Sequence, residues 1–172
     1  MHNELLIKFI CLNTGRGKRC GENLRNEIIK DDCSIAFVQE PMMITTPEGR
    51  KQLAGEGEDI YAIYKNNCQT GNVRAAIFYK GMPEGAPRLI EELSSRDLAA
   101  AFWRLNGKPV LLVSCYLHSD YDISESLSSL KKIIDYAKGK NILINGDFNA
   151  RSESLTKDKV TNKRLNVRPS ND

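Results

Sequence analysis

Asn106-Gly107 narrows the choice of fold for this chain more than any other pair of residues. Asn-Gly supplies the two left-handed residues of a type I′ turn, whose twist matches that of the strands it joins. On one side, Arg96 to Leu105 carries Leu98, Ala100 and Phe102 at every second position, with Trp103 on the opposite face. On the other, Pro109 to Cys115 is again apolar. The pattern predicts a long antiparallel hairpin near the centre of a sheet, which rules out a purely helical bundle.

Strand and helix signals alternate through the rest. Leu5 to Leu12 reads as a central strand, Gly21 to Lys30 as a helix with Leu24, Ile28 and Ile29 on one face, and Ser34 to Gln39 as a second strand. Residues 42–57, with Gly49, Gly55 and Gly57, read as a loop, either a lid over a substrate or a plain excursion. Ile60 to Tyr64 and Val73 to Tyr79 read as strands joined at Gly71-Asn72. Ser124 to Ala137 places Leu127, Leu130, Ile133, Ile134 and Ala137 at helical spacing with lysines on the far face, and leads into a buried strand beginning at Asn141.

A chain of 172 residues, 41% hydrophobic and 27% charged, fits one soluble globular domain with its own core. That domain is assigned to residues 1–151. Residues 152–172 are polar and read as a poorly anchored or truncated tail. A net charge of +3 is too small to argue for nucleic acid by itself. The five cysteines are odd in number and lack zinc or redox spacing, so they are expected to be reduced thiols of a nuclear or cytoplasmic protein. Neither a signal peptide nor an apolar run long enough for a membrane span is present in the sequence.

Chemistry gathers where the predicted strands end. Asn13, Glu40, Tyr116, Asp147 and Asn149 each stand where a core strand gives way to a loop. Pro41 stops its strand and leaves Glu40 at the tip. Asp147 and Asn149 alternate in extended chain, so both are expected to face one site with Phe148 packed behind; a local Asp-Phe-Asn turn is the alternative. Together the five form a candidate cation and phosphate site. Mg²⁺, with Mn²⁺ as a substitute, needs few carboxylates, and Glu40 is the expected main ligand with Asn13 assisting through its amide oxygen. Asp147 would position the attacking water, while Asn149 and Tyr116 would stabilise charge developing on phosphorus. Arg16, Lys18 and Arg19, in a loop with Gly15 and Gly17, and Arg151 are candidate contacts to a DNA backbone, or an exposed turn that is basic by chance. His118 is a weaker candidate, since a lone loop histidine is usually without a role.

Asn13 in its strand-end setting, Gln39-Glu40-Pro41, Ser114-Cys115-Tyr116 and Gly146-Asp147-Phe148-Asn149-Ala150 resemble the successive motifs of the endonuclease/exonuclease/phosphatase superfamily. Ser95-Arg96-Asp97-Leu98-Ala99-Ala100 resembles, more narrowly, the endonuclease domains of non-LTR retrotransposons. The resemblance spans Ile7 to about Arg151. It implies a DNase I-like four-layer α/β/β/α sandwich, incomplete at its C-terminus. It also implies a Mg²⁺-dependent endonuclease that nicks target DNA to prime a downstream reverse transcriptase. A small-phosphoester phosphatase of the same superfamily is an alternative. The chain departs from the family in lacking a terminal Ser-Asp-His and in carrying Gly15 where abasic-site enzymes have an acid. Those departures imply either a fragment of a working endonuclease or an inactive, degenerate copy.

Overall fold

The predicted hairpin forms, and it lies in the middle of its sheet. The computed structural model describes residues 7–66, 73–81, 85–105, 107–117 and 123–149. In chain order the elements are β1 (Phe9–Asn13), α1 (Lys18–Lys30), β2 (Ile35–Gln39), β3 (Met43–Thr45), β4 (Lys51–Leu53), β5 (Ile60–Ile63), β6 (Ala75–Lys80), β7 (Arg88–Leu89), β8 (Leu98–Leu105), β9 (Lys108–Tyr116), α2 (Ile123–Tyr136) and β10 (Asn141–Asp147). One four-stranded sheet runs β1-β2-β6-β5 and another β10-β9-β8-β7. In each, a parallel pair closed by a helix (β1-α1-β2 and β9-α2-β10) adjoins an antiparallel one.

Alternation along the strands builds the layers. Ile35 and Phe37 point between the sheets, where they meet Ala99, Ala101, Trp103 and Leu112 of the other sheet. Their neighbours Ala36 and Val38 point outward and pack with Leu24 and Ile28 of α1. In the second sheet Ala100, Leu111 and Val113 face Ile133 of α2 and Ala137 just past its end. The result is the expected α/β/β/α sandwich, with three apolar layers between four layers of structure. A polar bridge crosses the middle layer: the buried Gln39 amide donates to Ser114 Oγ at 3.1 Å, and that hydroxyl donates to the Val38 carbonyl at 3.3 Å.

Several expectations need correcting. Among the described residues β1 is an edge strand, not a central one, and Phe9 and Leu12 are exposed. Among the same residues β10 is likewise an edge, and the strand expected to be buried is at most half-buried. An unbroken apolar run reads as buried on both faces, but the run cannot say whether a neighbour lies on each side. In both helices the apolar stripe is narrower than predicted. Leu24 with Ile28, and Ile133 with Ala137, are buried one turn apart, whereas Ile29, Leu127 and Ile134 are exposed. Ile29 and Ile134 follow a buried residue directly, which turns each about 100° away from the sheet. Part of the predicted loop 42–57 is a two-stranded ribbon, β3 with β4. Gly71-Asn72, His118, Arg151 and the tail 152–172 lie outside the described residues. No helix of the described residues is long and apolar enough to cross a membrane.

Candidate active site

The two parallel pairs run so that β1, β2, β9 and β10 deliver their C-terminal ends to one rim of the sandwich, where the sheets meet. Asn13 ends β1 and Asp147 ends β10, and the Asn13 amide donates to Asp147 Oδ2 at 2.8 Å across the gap between sheets. The Asn13 carbonyl oxygen accepts the Gly15 N–H at 2.9 Å, so the carboxamide is held at both ends. One lone pair of that oxygen remains free.

Asp147 and Asn149 meet, but not by strand alternation. β10 stops at Asp147, and Asn149 is left-handed with φ of 44°. Asn149 N–H donates to Asp147 Oδ1 at 3.0 Å, the local turn held open as the alternative. The Asn149 side chain then donates to the Leu117 carbonyl at 2.8 Å, just past β9. Phe148 does not pack behind the pair and is exposed, because the turn swings it away from the strand's pleat.

Glu40 is half-buried and also left-handed, with φ of 50°, directly before the buried Pro41. A residue before proline ordinarily takes an extended conformation, so this geometry persists only where surrounding contacts impose it. Three hydrogen bonds do so. Glu40 N–H donates to the Arg74 carbonyl at 2.9 Å, and the Glu40 carbonyl accepts from Arg16 N–H at 2.8 Å and from Thr14 Oγ1 at 2.7 Å.

Tyr116 closes the ring, its phenol near enough to the Glu40 carboxylate and the Asn149 side chain to feel both. Burial pushes the phenol above its usual value near 10, and the bond to Glu40 and that carboxylate's charge push the same way. The bond from Asn149 and the charge of Arg74 pull against them. Asn13, Asp147 and Asn149 are joined by direct hydrogen bonds, and Tyr116, beside Glu40 and Asn149, brings all five strand-end residues named from sequence onto one rim.

Oxygen atoms dominate this set, and the chemistry suits a hard cation such as Mg²⁺. Glu40 offers a carboxylate, and Asn13 an amide oxygen with one lone pair already taken by Gly15. Among the described residues no group of three or more His, Cys, Asp or Glu side chains converges, so a cation here would keep much of its water. Arg16 is exposed and tied to Glu40 through its backbone, whereas Lys18 and Arg19, expected in the same loop, are exposed residues of the first turn of α1.

Sequence reading missed Arg74 and gave Asp97 no role. Arg74 is 4% exposed, and its guanidinium donates to both carboxylate oxygens of Asp97 at 2.5 and 2.7 Å while lying 5.3 Å from the centre of the Tyr116 ring. The available signal was a lone cation, Arg74, at the head of the apolar run Ala75 to Phe78.

The layers and the gathered strand ends are those of the DNase I-like fold. No family model and no curated protein matches the chain in sequence. Among solved structures it is similar to the endonuclease domain of TRAS1, a telomere-specific non-LTR retrotransposon. The TM-score is 0.70 at 20% identity, covering 86% of this chain and 61% of that one. An endonuclease/exonuclease/phosphatase family protein from Leptotrichia buccalis matches with TM-score 0.52 at 11% identity, covering 84% of this chain and 67% of that one. The AP endonuclease LMAP from Leishmania major matches with TM-score 0.53 at 13% identity, covering 84% and 55%. The chain thus spans about three-fifths of the TRAS1 domain's length.

Proposed function

We propose that the chain is the larger part of a divalent-metal-dependent endonuclease domain of the non-LTR retrotransposon kind, nicking DNA to leave a primer for a reverse transcriptase in the same parent protein. The convergence of Asn13, Glu40, Tyr116, Asp147 and Asn149 on one rim carries this reading.

Asp147 accepts one hydrogen bond on each oxygen, from Asn13 and from Asn149, and each oxygen retains a lone pair for a water. It is the group that orients the attacking water and takes its proton. Asn149 and Tyr116 are donors for a phosphate oxygen gaining negative charge; Tyr116 stays protonated far above neutral pH, as a donor must. Glu40 and Asn13 would hold Mg²⁺, or Mn²⁺ in its place, which when bound polarises the phosphoryl group and stabilises the leaving oxygen. Arg16, Lys18 and Arg19, with Arg151, contact the DNA backbone without reading bases. The working compartment is that of chromosomal DNA or of the cytoplasm where the parent protein is made.

Nicking of supercoiled plasmid with Mg²⁺ tests the proposal. Glu40→Ala and Asp147→Ala should each lower the rate by about 10² to 10³. If both nick as the parent does, or if the parent shows no metal-dependent nicking, the inactive-remnant reading takes over.

A further inference from the structure

Arg74 is the one buried charged side chain among the described residues. A buried cation is costly unless paired, and replacing such a pair by apolar groups is often neutral or stabilising, so stability alone is a weak reason for this one. Its surroundings supply another. The main chains of Arg74 and Asp97 hold the two residues on which the site turns: the Arg74 carbonyl accepts Glu40 N–H at 2.9 Å, and the Asp97 carbonyl accepts Tyr116 N–H at 2.9 Å. Arg74 N–H donates to the Arg96 carbonyl at 2.8 Å, which fixes the two segments against each other. The side chains add a second level of restraint. Both oxygens of Asp97 grip the guanidinium, so it cannot swing, and it lies over the face of the Tyr116 ring.

We propose that Arg74, clamped by Asp97, is a positioning residue that grips Tyr116 by its ring face and keeps the phenol aimed between Glu40 and Asn149. The inference rests on the reading of this rim as a phosphodiester-cleaving site. The hold on Tyr116 is nevertheless measurable without any reaction. A cation on the ring face favours the phenolate, and Asp97 partly offsets that cation.

The test titrates Tyr116 in the full chain as the ultraviolet tyrosinate signal of each protein minus that of its Tyr116→Phe counterpart. Arg74→Met removes the cation and should move the Tyr116 titration to higher pH than in the parent. Asp97→Asn takes one negative charge away from beside the guanidinium and should move it to lower pH. Loosening of a merely structural pair would instead let water reach the phenol in both variants and bring both towards the usual value near 10. A downward move or no move in Arg74→Met overturns the proposal. If Arg74→Met does not fold, Asp97→Asn decides against the milder Asp97→Glu, which should titrate as the parent does; equal shifts in both would overturn the proposal. In the nicking assay Arg74→Met should lower kcat about 10²-fold with little change in KM. Adding it to Tyr116→Phe should cost almost nothing further. A parent protein that does not nick removes the enzymatic reading and leaves the titration to judge Arg74.

Discussion

Asn13 and Asp147, at the ends of edge strands in different sheets and 134 positions apart in the chain, share a hydrogen bond of 2.8 Å. The orientation of the carboxamide is set chemically, because only its nitrogen can serve the carboxylate and only its oxygen can serve Gly15 N–H. Asn13→Asp would place a second carboxylate against Asp147. Like charges that close cannot both ionise freely, so one proton is retained to higher pH. The acid limb of the pH-rate profile for plasmid nicking should therefore move to higher pH, whereas Asn13→Ala should lower the rate without that displacement.

Removing Asp97 should be expensive in stability. Arg74 is 4% exposed, and Asp97→Ala leaves its charge with much less compensation. Breaking such a pair typically costs about 3 to 5 kcal/mol, and the partial exposure of Asp97 puts the expected loss near the lower end. Urea denaturation of the two proteins at neutral pH measures it.

Gly146 lies in β10 against Cys115 of β9. A Cβ there would meet the Cys115 carbonyl oxygen at 2.0 Å and its carbon at 2.8 Å, both main-chain atoms that cannot turn aside. Gly146→Ala should cost about 2 to 3 kcal/mol through forced separation of the strands. Gly81→Ala, where a Cβ meets nothing within 4 Å, should stay within about 0.5 kcal/mol of the parent. Similar urea midpoints for the two variants would contradict the close approach.

Burial, followed by the charges of Asp97 and Asp147, pushes the Cys115 thiol from near 9 up to about 12. The folded chain thus keeps a proton that the unfolded chain releases. The corresponding stability is present in full below pH 9 and is lost as pH rises towards 12. The parent should therefore lose stability faster than Cys115→Ala across that interval, read as urea midpoints against pH. Below pH 9 the difference between the two should be constant.

Local chemistry was the legible part of this sequence. The hairpin at Asn106-Gly107 and both crossover helices follow from turn chemistry and periodicity within short windows. Strand ends, one of them marked by Pro41, delivered the five polar residues that now share one rim. What short windows cannot encode is which strand has a neighbour, and so β1 and β10 read as interior strands. Asn149 was paired with Asp147 for the wrong reason: the extended chain ends at Asp147, and a left-handed turn makes the contact instead. Arg74 and Asp97 escaped because their partnership exists only once two distant segments are packed together.

Two of the five rim residues ride on the outermost strands, Asn13 on β1 and Asp147 on β10. Peripheral strands fray at lower free energy than interior ones, so the rim should loosen on warming before the sandwich itself melts. Hydrogen exchange ought then to open the β1 and β10 amides well ahead of those of β2 and β9. Any nicking activity would fade at a temperature where circular dichroism still reports a folded chain.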